Sequence, residues 1–268
     1  MGTMSEDVSR SAFQARGFTI IPQLLTPVEI QQLRDVCLAY FERNAIYLDC
    51  GITQPDAFRK IPEIRWLLGD ERIRRIFQRY CGAPLVYCHH SDVHLNKYTG
   101  WHKDACGRDD FRSDAQESYG VYKMAFYLQA HSADRPALSV RAGSHLSSEI
   151  HTGELVRVCP QPGDAILFDC RISHAGEDLS TAAKVVRSVI RSQRLRSQFF
   201  GGLRRLRREP DKLAIFFTLG IPNRFLQEHV DITVRRQLNQ IGESTYTIPD
   251  GIASVLKQAG LGWQEVHF

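Results

Sequence analysis

From Leu85 onward the sequence changes to a run of short strand-like segments separated by turns that contain glycine. Two of these turns are Gly143-Ser144 and Pro162-Gly163-Asp164. Short strands that follow one another without intervening helices favour a β-barrel or a β-sandwich, because neighbouring strands can pair through tight turns. The predicted strands cover residues 85–98, 121–129, 137–141, 154–158, 165–170 and 212–219.

Helical patterns lie on both sides of this region. Thr26-Pro27-Val28-Glu29 has the residues of a capping box with proline at the first helical position, and apolar residues then recur at helical spacing as far as Phe41. A short strand over 17–22 precedes this helix. No segment has the composition of an interdomain linker, so we predict one domain over residues 1–268, with helices packed against a β core. One helix or a pair of helices is predicted over 63–80, and further helices are predicted over 224–240 and 250–259.

A histidine and a carboxylate lie two residues apart at His102 and Asp104, and His174 follows much later, at the end of a predicted strand. Side chains two residues apart share one face of an extended segment. Two imidazoles and one carboxylate form the facial triad that holds non-haem Fe(II) and leaves coordination positions open. The spacing alone leaves two other interpretations open: a surface pair at His102 and Asp104, and a core histidine at His174.

The composition predicts a globular protein of the cytoplasm. The hydrophobic fraction of 43% and the charged fraction of 24% are typical of a packed core. No apolar run reaches the roughly 18 residues of a membrane-spanning helix, and residues 1–16 lack the pattern of a signal peptide. The seven cysteines are scattered without CxxC spacing, which indicates reduced thiols instead of a zinc site or a disulfide framework.

The net charge of +4 is concentrated in one block, since eight arginines and no acidic residue lie between Arg187 and Arg208. Such a block could attract an anionic substrate, a carrier or a nucleic acid. The alternative is a solvated arginine-rich helix beside the active site. Nucleic acid is the least favoured partner, because Phe199 and Phe200 alone make a poor stacking platform and no nucleic-acid-binding module accompanies them.

Four ordered segments resemble the phytanoyl-CoA dioxygenase family of Fe(II)/2-oxoglutarate oxygenases, over roughly residues 12–220. The first is the Gly-Phe-x-x-Ile strand with its capped helix (17–41), and the second is Trp101-His102-x-Asp104. The third and fourth are Ala125-Phe126-Tyr127-Leu128-Gln129 with Leu138-x-Val140-x-x-Gly143-Ser144-His145, and Gly163-Asp164 with the strand that leads to His174.

This resemblance implies a mainly β fold with flanking helices around a double-stranded β-helix, the cupin-like jelly-roll. It implies that His102, Asp104 and His174 are the catalytic metal ligands, that His145 is structural, and that Fe(II), 2-oxoglutarate and O₂ are required. The expected function is oxidation, most of all hydroxylation, of a small molecule in natural-product metabolism. The alternative is a jelly-roll metal-binding protein or an isomerase without oxygenase turnover. A carboxylate at Asp104 disfavours halogenation, because family relatives that halogenate have a small residue there.

The sequence departs from the family at the residue that binds the far carboxylate of 2-oxoglutarate. The family has an arginine there, shortly after the distal histidine and at the start of the next strand. Here residues 178–210 are predicted as an arginine-rich insertion or lid, and Lys212 precedes the strand. Lys212 is the preferred anchor, because the anchor must project from the barrel wall; Arg208 and Arg187 are the alternatives.

Three other residues could contact 2-oxoglutarate: Lys123, Tyr127 and Asn96. Lys123 and Tyr127 alternate with apolar residues along a predicted strand, so they could equally lie on a solvated or core face. The substrate is expected to be a small molecule, either anionic or carrier-bound, and no membrane partner is expected.

Overall fold

The computed structural model describes residues 3–105, 107, 110–111, 119–176 and 181–267. Cys106 and the first three residues of the predicted insertion, 178–180, lie outside the described residues. The strands are β1 (Phe18–Ile21), β2 (Ile46–Leu48), β3 (Gly51–Pro55), β4 (Val86–Leu95), β5 (Val121–Tyr127), β6 (Leu138–Ala142), β7 (Glu154–Val158), β8 (Ala165–Asp169), β9 (His174–Ala175), β10 (Leu213–Gly220) and β11 (Gly262–Trp263).

The helices flank these strands, and two of them, α6 and α7, fall in the predicted insertion. Short 3₁₀ turns lie at Pro62–Ile64 and Ser144–Leu146. The α-helices are α1 (Thr3–Arg16), α2 (Pro27–Arg43), α3 (Ala57–Lys60), α4 (Trp66–Gly69), α5 (Glu71–Cys81), α6 (Thr181–Val189), α7 (Gln193–Leu206), α8 (Arg224–Ile241) and α9 (Asp250–Gln258).

The strands form two sheets that face each other, which confirms the predicted jelly-roll class. The large sheet has the order β1-β8-β5-β10-β4-β3-β2, with β11 added in parallel to β4. The small sheet has the order β7-β6-β9. Apart from β11, every pairing is antiparallel. Among the described residues, no helix has both the length and the hydrophobicity to cross a membrane.

The alternation of side chains along β5 shows how the large sheet separates a core from a cavity. Met124 and Phe126 point to the core that α2, α4, α5 and α9 cover. Ala125 and Tyr127 point to the space between the two sheets, with Phe168 of β8. Each face of the sheet therefore has its own apolar cluster, and polar residues on the inner face line a cavity.

Local sequence signals account for most boundaries. At α2 the predicted capping box is present, because Thr26 Oγ1 accepts a hydrogen bond from the Glu29 backbone N–H at 3.3 Å and the Glu29 carboxylate accepts one from the Thr26 N–H at 2.7 Å. The segment 63–80, predicted as one helix or a pair, contains a pair, α4 and α5, after a 3₁₀ turn. Asp70 caps α5 by accepting a hydrogen bond from the Arg72 N–H at 2.8 Å. The strand predicted over 85–98 stops at Leu95, because Asn96 has a φ of 55°.

Candidate metal centre and its cavity

Backbone hydrogen bonds bring His102, Asp104 and His174 together. His102 and His174 exchange N–H to C=O bonds of 3.0 and 2.9 Å, and the Asp104 N–H donates to the Cys170 carbonyl at 2.9 Å. His174 also pairs with Val140 of β6. The segment around His102 and Asp104, which lies outside the predicted strands, is an isolated bridge followed by irregular backbone.

The three side chains converge on one point. Their potential ligand atoms all lie within 4.8 Å of one another. His102 Nε2 is 3.8 Å from Asp104 Oδ1, and His174 Nε2 is 3.5 Å from Asp104 Oδ2. This is the separation expected of donor atoms that share one ion, since each donor lies about 2.0–2.2 Å from such a metal.

Both imidazoles are oriented by their second nitrogen. His102 Nδ1 donates to the Gly100 carbonyl at 2.8 Å, and His174 Nδ1 donates to the Ile172 carbonyl at 3.0 Å. These bonds leave both Nε2 atoms as acceptors that face the same point, the arrangement typical of histidine ligands. The Phe168 ring, 5.2 Å from the His174 ring, limits the rotation of that imidazole. The donor set therefore fits a divalent transition metal such as Fe(II).

The protonation states also suit a metal. Burial, and then the neighbouring His102, lowers the pKa of His174 to about 3, so the imidazole is neutral near pH 7. Burial alone would raise the pKa of Asp104, but the charge and the hydrogen bond of the Lys123 ammonium hold that pKa well below its usual value. The Lys123 Nζ lies 2.6 Å from Asp104 Oδ2, and both side chains are buried. A neutral imidazole and an ionised carboxylate are the forms that bind metal.

The triad lies in the wall of a cavity of about 450 Å³ between the two sheets. Of the residues predicted to contact the co-substrate, Lys123, Tyr127, Lys212 and Arg187 line this cavity. Tyr98 and Trp101, which flank the His-x-Asp motif, also line it. The other lining residues are Leu48, Asp49, Thr53, Asp92, His94, Lys97, Thr99, Gly100, Lys103, Leu138, Phe168, Gly176, Ala214, Phe216, Arg236 and Gln240.

The structure does not bring Asn96 or Arg208 to the cavity. Asn96 Oδ1 accepts a hydrogen bond from the Lys212 N–H at 2.8 Å, and its amide donates to Asp211 at 2.7 Å, so Asn96 fixes the turn before β10. Arg208 is exposed just after α7. The Lys212 side chain, in contrast, is buried, with Nζ 5.7 Å from the centre of the Tyr127 ring.

The described part of the arginine-rich insertion packs against the β2–β3 hairpin. Ser197 Oγ donates to the Gly51 carbonyl at 2.7 Å, and the Phe200 ring is buried at 5.5 Å from the Tyr98 ring. Arg187 reaches the cavity, where its guanidinium lies 3.2 Å from Asp49 Oδ1. The block is therefore divided: Arg187 contacts the cavity wall, Arg196 is half-buried, Arg204 is buried and donates to the Pro210 carbonyl at 3.1 Å, and the arginines at 191, 194, 205, 207 and 208 are exposed.

His145 has a structural contact with the N-terminal region. Its Nε2 donates to the Gln14 carbonyl at 2.9 Å, and its ring lies so close to Gly17 that a Cβ there would be 2.4 Å from His145 Nδ1. Gly17, with a φ of 77°, is therefore required for the close approach of the two segments.

The wall of the cavity that β4 and α8 form, opposite the triad, was not predicted from the sequence. The acidic and histidine residues of this wall, Asp92 and His94, lie on β4, and Arg236 and Gln240 come from α8. The alternation of His90, Asp92 and His94 along one predicted strand was a usable signal, because three polar residues at every second position share one face. No comparable signal placed α8 beside β4.

No protein-family model matches this chain, and no curated protein matches it. Several solved structures share its fold. The non-heme alpha ketoglutarate dependent epimerase SnoN from nogalamycin biosynthesis has a TM-score of 0.60 at 17% identity, covering 84% of this chain and 89% of SnoN. The carbocyclase SnoK from the same pathway has a TM-score of 0.57 at 19% identity, covering 80% and 83%.

A third similar structure is EctD from S. alaskensis with 2-oxoglutarate and 5-hydroxyectoine, with a TM-score of 0.56 at 14% identity, covering 80% of this chain and 75% of EctD. At these identities the comparisons establish a shared jelly-roll fold. Function has to be argued from the site.

Proposed function

We propose that this chain is a non-haem Fe(II)/2-oxoglutarate-dependent oxygenase of the phytanoyl-CoA dioxygenase type that oxidises a small molecule in specialised metabolism. The observation that carries this proposal is the convergence of two oriented imidazoles and a carboxylate within 4.8 Å on the wall of a cavity. The similar folds of SnoN, SnoK and EctD support it, since SnoN and SnoK are alpha ketoglutarate dependent and EctD binds 2-oxoglutarate.

His102, Asp104 and His174 would hold the iron. Fe(II), with 2-oxoglutarate and O₂, supplies the oxidising power that side chains lack. The protein fixes the ligands: the Gly100 and Ile172 carbonyls orient the imidazoles, and Lys123 holds one carboxylate oxygen. Because Lys123 binds Asp104 Oδ2, the other oxygen is left to face the metal position.

Lys212 is the proposed anchor for the far carboxylate of 2-oxoglutarate. It precedes β10, it is buried, and its head group lies beside the Tyr127 ring in the cavity wall. Lys123 and Arg187 line the same cavity, but Lys123 lies within β5 and Arg187 in α6, so neither has the position just before β10 that the anchor is expected to have. A lysine offers a point charge instead of the bidentate fork of an arginine, so we expect weaker geometric selection of the co-substrate.

The insertion over 178–210 is proposed to act as a lid. Its described helices lie against the β2–β3 hairpin, and Arg187 extends from α6 into the cavity. Trypsin tests this, because the exposed arginines 191, 194 and 205 are cleavage sites. Ni(II) with 2-oxoglutarate should slow cleavage within the insertion relative to cleavage after Arg10 in α1; equal slowing at both places would contradict the lid.

Hydroxylation is the proposed outcome, although an epimerase and a carbocyclase share the fold. The test is anaerobic loading with Fe(II) and 2-oxoglutarate, followed by simultaneous measurement of O₂ consumption and succinate release. We expect succinate in step with O₂, and a gain of one oxygen atom in the substrate once it is known. Iron binding without any O₂-dependent succinate release would favour the alternative, a jelly-roll metal-binding protein or an isomerase. The observation that supports this alternative is the lysine at position 212, where the family has an arginine.

A further inference from the structure

The inner face of β4 carries a row of polar side chains, His90, Asp92 and His94, on the wall that faces away from the helix-covered core. Asp92 pairs with Phe216 of β10 on one side, and with Pro55 of β3 on the other. Asp92, His94 and Phe216 all line the cavity that contains the metal triad. Asp92 and His94 are therefore in a position to contact whatever occupies the cavity, whereas His90 lies behind them.

Hydrogen bonds orient the Asp92 carboxylate through a neutral imidazole. The Thr218 hydroxyl donates to His90 Nδ1 at 2.7 Å, and His90 Nε2 donates to Asp92 Oδ2 at 3.3 Å. His94 Nε2 lies 3.6 Å from the same oxygen. Burial lowers the pKa of His90, and burial together with Lys97 lowers the pKa of His94 to about 4, so neither ring is charged near pH 7.

The carboxylate itself remains ionised. Burial would raise the pKa of Asp92, but the hydrogen bond from the neutral His90 ring and the neighbouring His94 ring help to hold it well below its usual value. Oδ1 is buried without a hydrogen-bond partner, and no lysine or arginine among the described residues comes within ion-pair distance of the carboxylate. The side chain is still 18% exposed. A carboxylate in such a place is costly unless a positive charge approaches it.

The other two carboxylates of the cavity wall differ from Asp92 in this respect. Asp104 has Lys123 at 2.6 Å. Asp49 has Arg187 at 3.2 Å and Lys97 at 3.9 Å. Lys97 affects Asp92 only from beyond ion-pair distance. Among the described residues that line the cavity, Asp92 is thus the carboxylate without a lysine or arginine at ion-pair distance.

We propose that Asp92 binds a protonated amine of the substrate. This inference rests on the proposed function, because it takes the cavity beside the triad to be the substrate site. An ammonium group that reaches the exposed part of the carboxylate from the cavity would supply the missing charge together with hydrogen-bond donors. The adjacent Phe216 ring, with the His94 ring 5.0 Å away, adds an aromatic surface of the kind that attracts organic cations. The basic insertion, which indicated an anionic substrate, has its cavity-facing arginine directed at Asp49.

Three ring compounds of one size test the proposal: cyclohexylamine, cyclohexanol and cyclohexanecarboxylate. Their affinities are measured by ligand-observed NMR on the full chain loaded with Zn(II) and 2-oxoglutarate. We expect the amine to bind the wild type about tenfold more tightly than the alcohol, because an ion pair with a partly desolvated carboxylate typically raises affinity by about this factor. Asp92→Asn keeps the shape and can still accept from His90, but it should abolish the preference for the amine.

The matched control is Asp49→Asn, which removes a cavity carboxylate that already has cationic partners and should leave the amine preference intact. An equal affinity of the wild type for the three compounds, or an amine preference that survives in Asp92→Asn, would overturn the proposal. A thermal melt of each variant checks that the fold is retained, and Asp92→Ser replaces Asp92→Asn if the latter is unfolded. The proposed function is tested separately, by the visible charge-transfer absorption of the anaerobic Fe(II)–2-oxoglutarate form, which Asp92→Asn should leave unchanged.

Discussion

The end of the cavity where we propose the metal, called the metal end, and the opposite wall are assembled differently. At the metal end, His102, Asp104 and His174 are fixed by backbone hydrogen bonds to His174, Cys170 and His102. The opposite wall is made of side chains from β4 and α8, together with Lys97 and Lys212, each of which depends on how separate elements pack. The first arrangement tolerates little change in position, whereas the second can vary without disturbing the metal ligands.

This difference indicates a division of roles. Chemistry at a metal requires ligand atoms held within a few tenths of an ångström, and paired backbone segments supply that precision. Selection of a substrate requires a particular set of charges and shapes, which side chains on separate elements can provide. We therefore expect substitutions at the metal end to affect every activity of the protein, and substitutions on the opposite wall to affect affinity for particular ligands.

The largest effect is expected from Asp104→Ala. Loss of one of three ligands should lower iron affinity by roughly a thousandfold or more, beyond the 10–100-fold typical of residues that only support a ligand. Iron content after dialysis and O₂-dependent succinate release measure this. The control is His151→Ala, an exposed histidine that does not belong to the triad. Full turnover by Asp104→Ala would refute the assignment of the metal site.

The second-largest effect is expected from Lys212→Ala, which should weaken the binding of 2-oxoglutarate alone. Loss of a buried cation opposite a carboxylate is expected to raise the KM for 2-oxoglutarate by about 30-fold or more, with iron affinity unchanged. Lys212→Arg should restore most of the affinity, because it keeps the charge. Arg208→Ala is the matched control, since Arg208 is exposed. If Arg187→Ala has the larger effect on this KM, the anchor is Arg187.

Lys123→Met tests whether the lysine beside Asp104 controls the pH at which the metal end binds iron. Since the Lys123 charge helps to hold the pKa of Asp104 well below its usual value, the variant should have a higher Asp104 pKa. Asp104 then loses its proton, and the protein binds iron, only at higher pH. We expect iron affinity to fall about 10- to 100-fold at pH 6 and by less at pH 8. Metal titrations at the two pH values measure this; an equal loss at both would show that Lys123 acts through packing.

The sequence predicted the metal end better than the opposite wall for a physical reason. His102, Asp104 and His174 are a set whose chemistry is recognisable from residue type and order, whether or not the segment around Asp104 is a regular strand. Asp92 and His94 lay within a correctly predicted strand, but their inward orientation depends on which face of β4 meets the second sheet. Periodicity alone does not determine that choice.

The β2–β3 hairpin was also not predicted from the sequence. Its two-residue turn, Asp49-Cys50, has φ values of 49° and 64°, a conformation that hairpins usually fill with Asn-Gly or similar residues. The turn therefore had no local signal, and the hairpin was missed. It nevertheless supplies Asp49, which contacts Arg187 and Lys97, and the surface on which α7 packs. Tertiary contacts therefore stabilise a turn conformation that its own residues do not favour.

The smallest effect is expected at Asn96, which was predicted to contact 2-oxoglutarate and instead supports Lys212 from outside the cavity. Asn96→Ala removes its side-chain hydrogen bonds and places an alanine at a φ of 55°, so we expect a loss of about 2 kcal/mol in the free energy of unfolding. The KM for 2-oxoglutarate should rise only a few-fold, because Lys212 keeps its place at the start of β10. Asn96→Gly separates the two causes, since glycine accepts the positive φ and lacks only the hydrogen bonds. A rise in KM as large as that of Lys212→Ala, with unchanged stability, would instead place Asn96 in direct contact with the co-substrate.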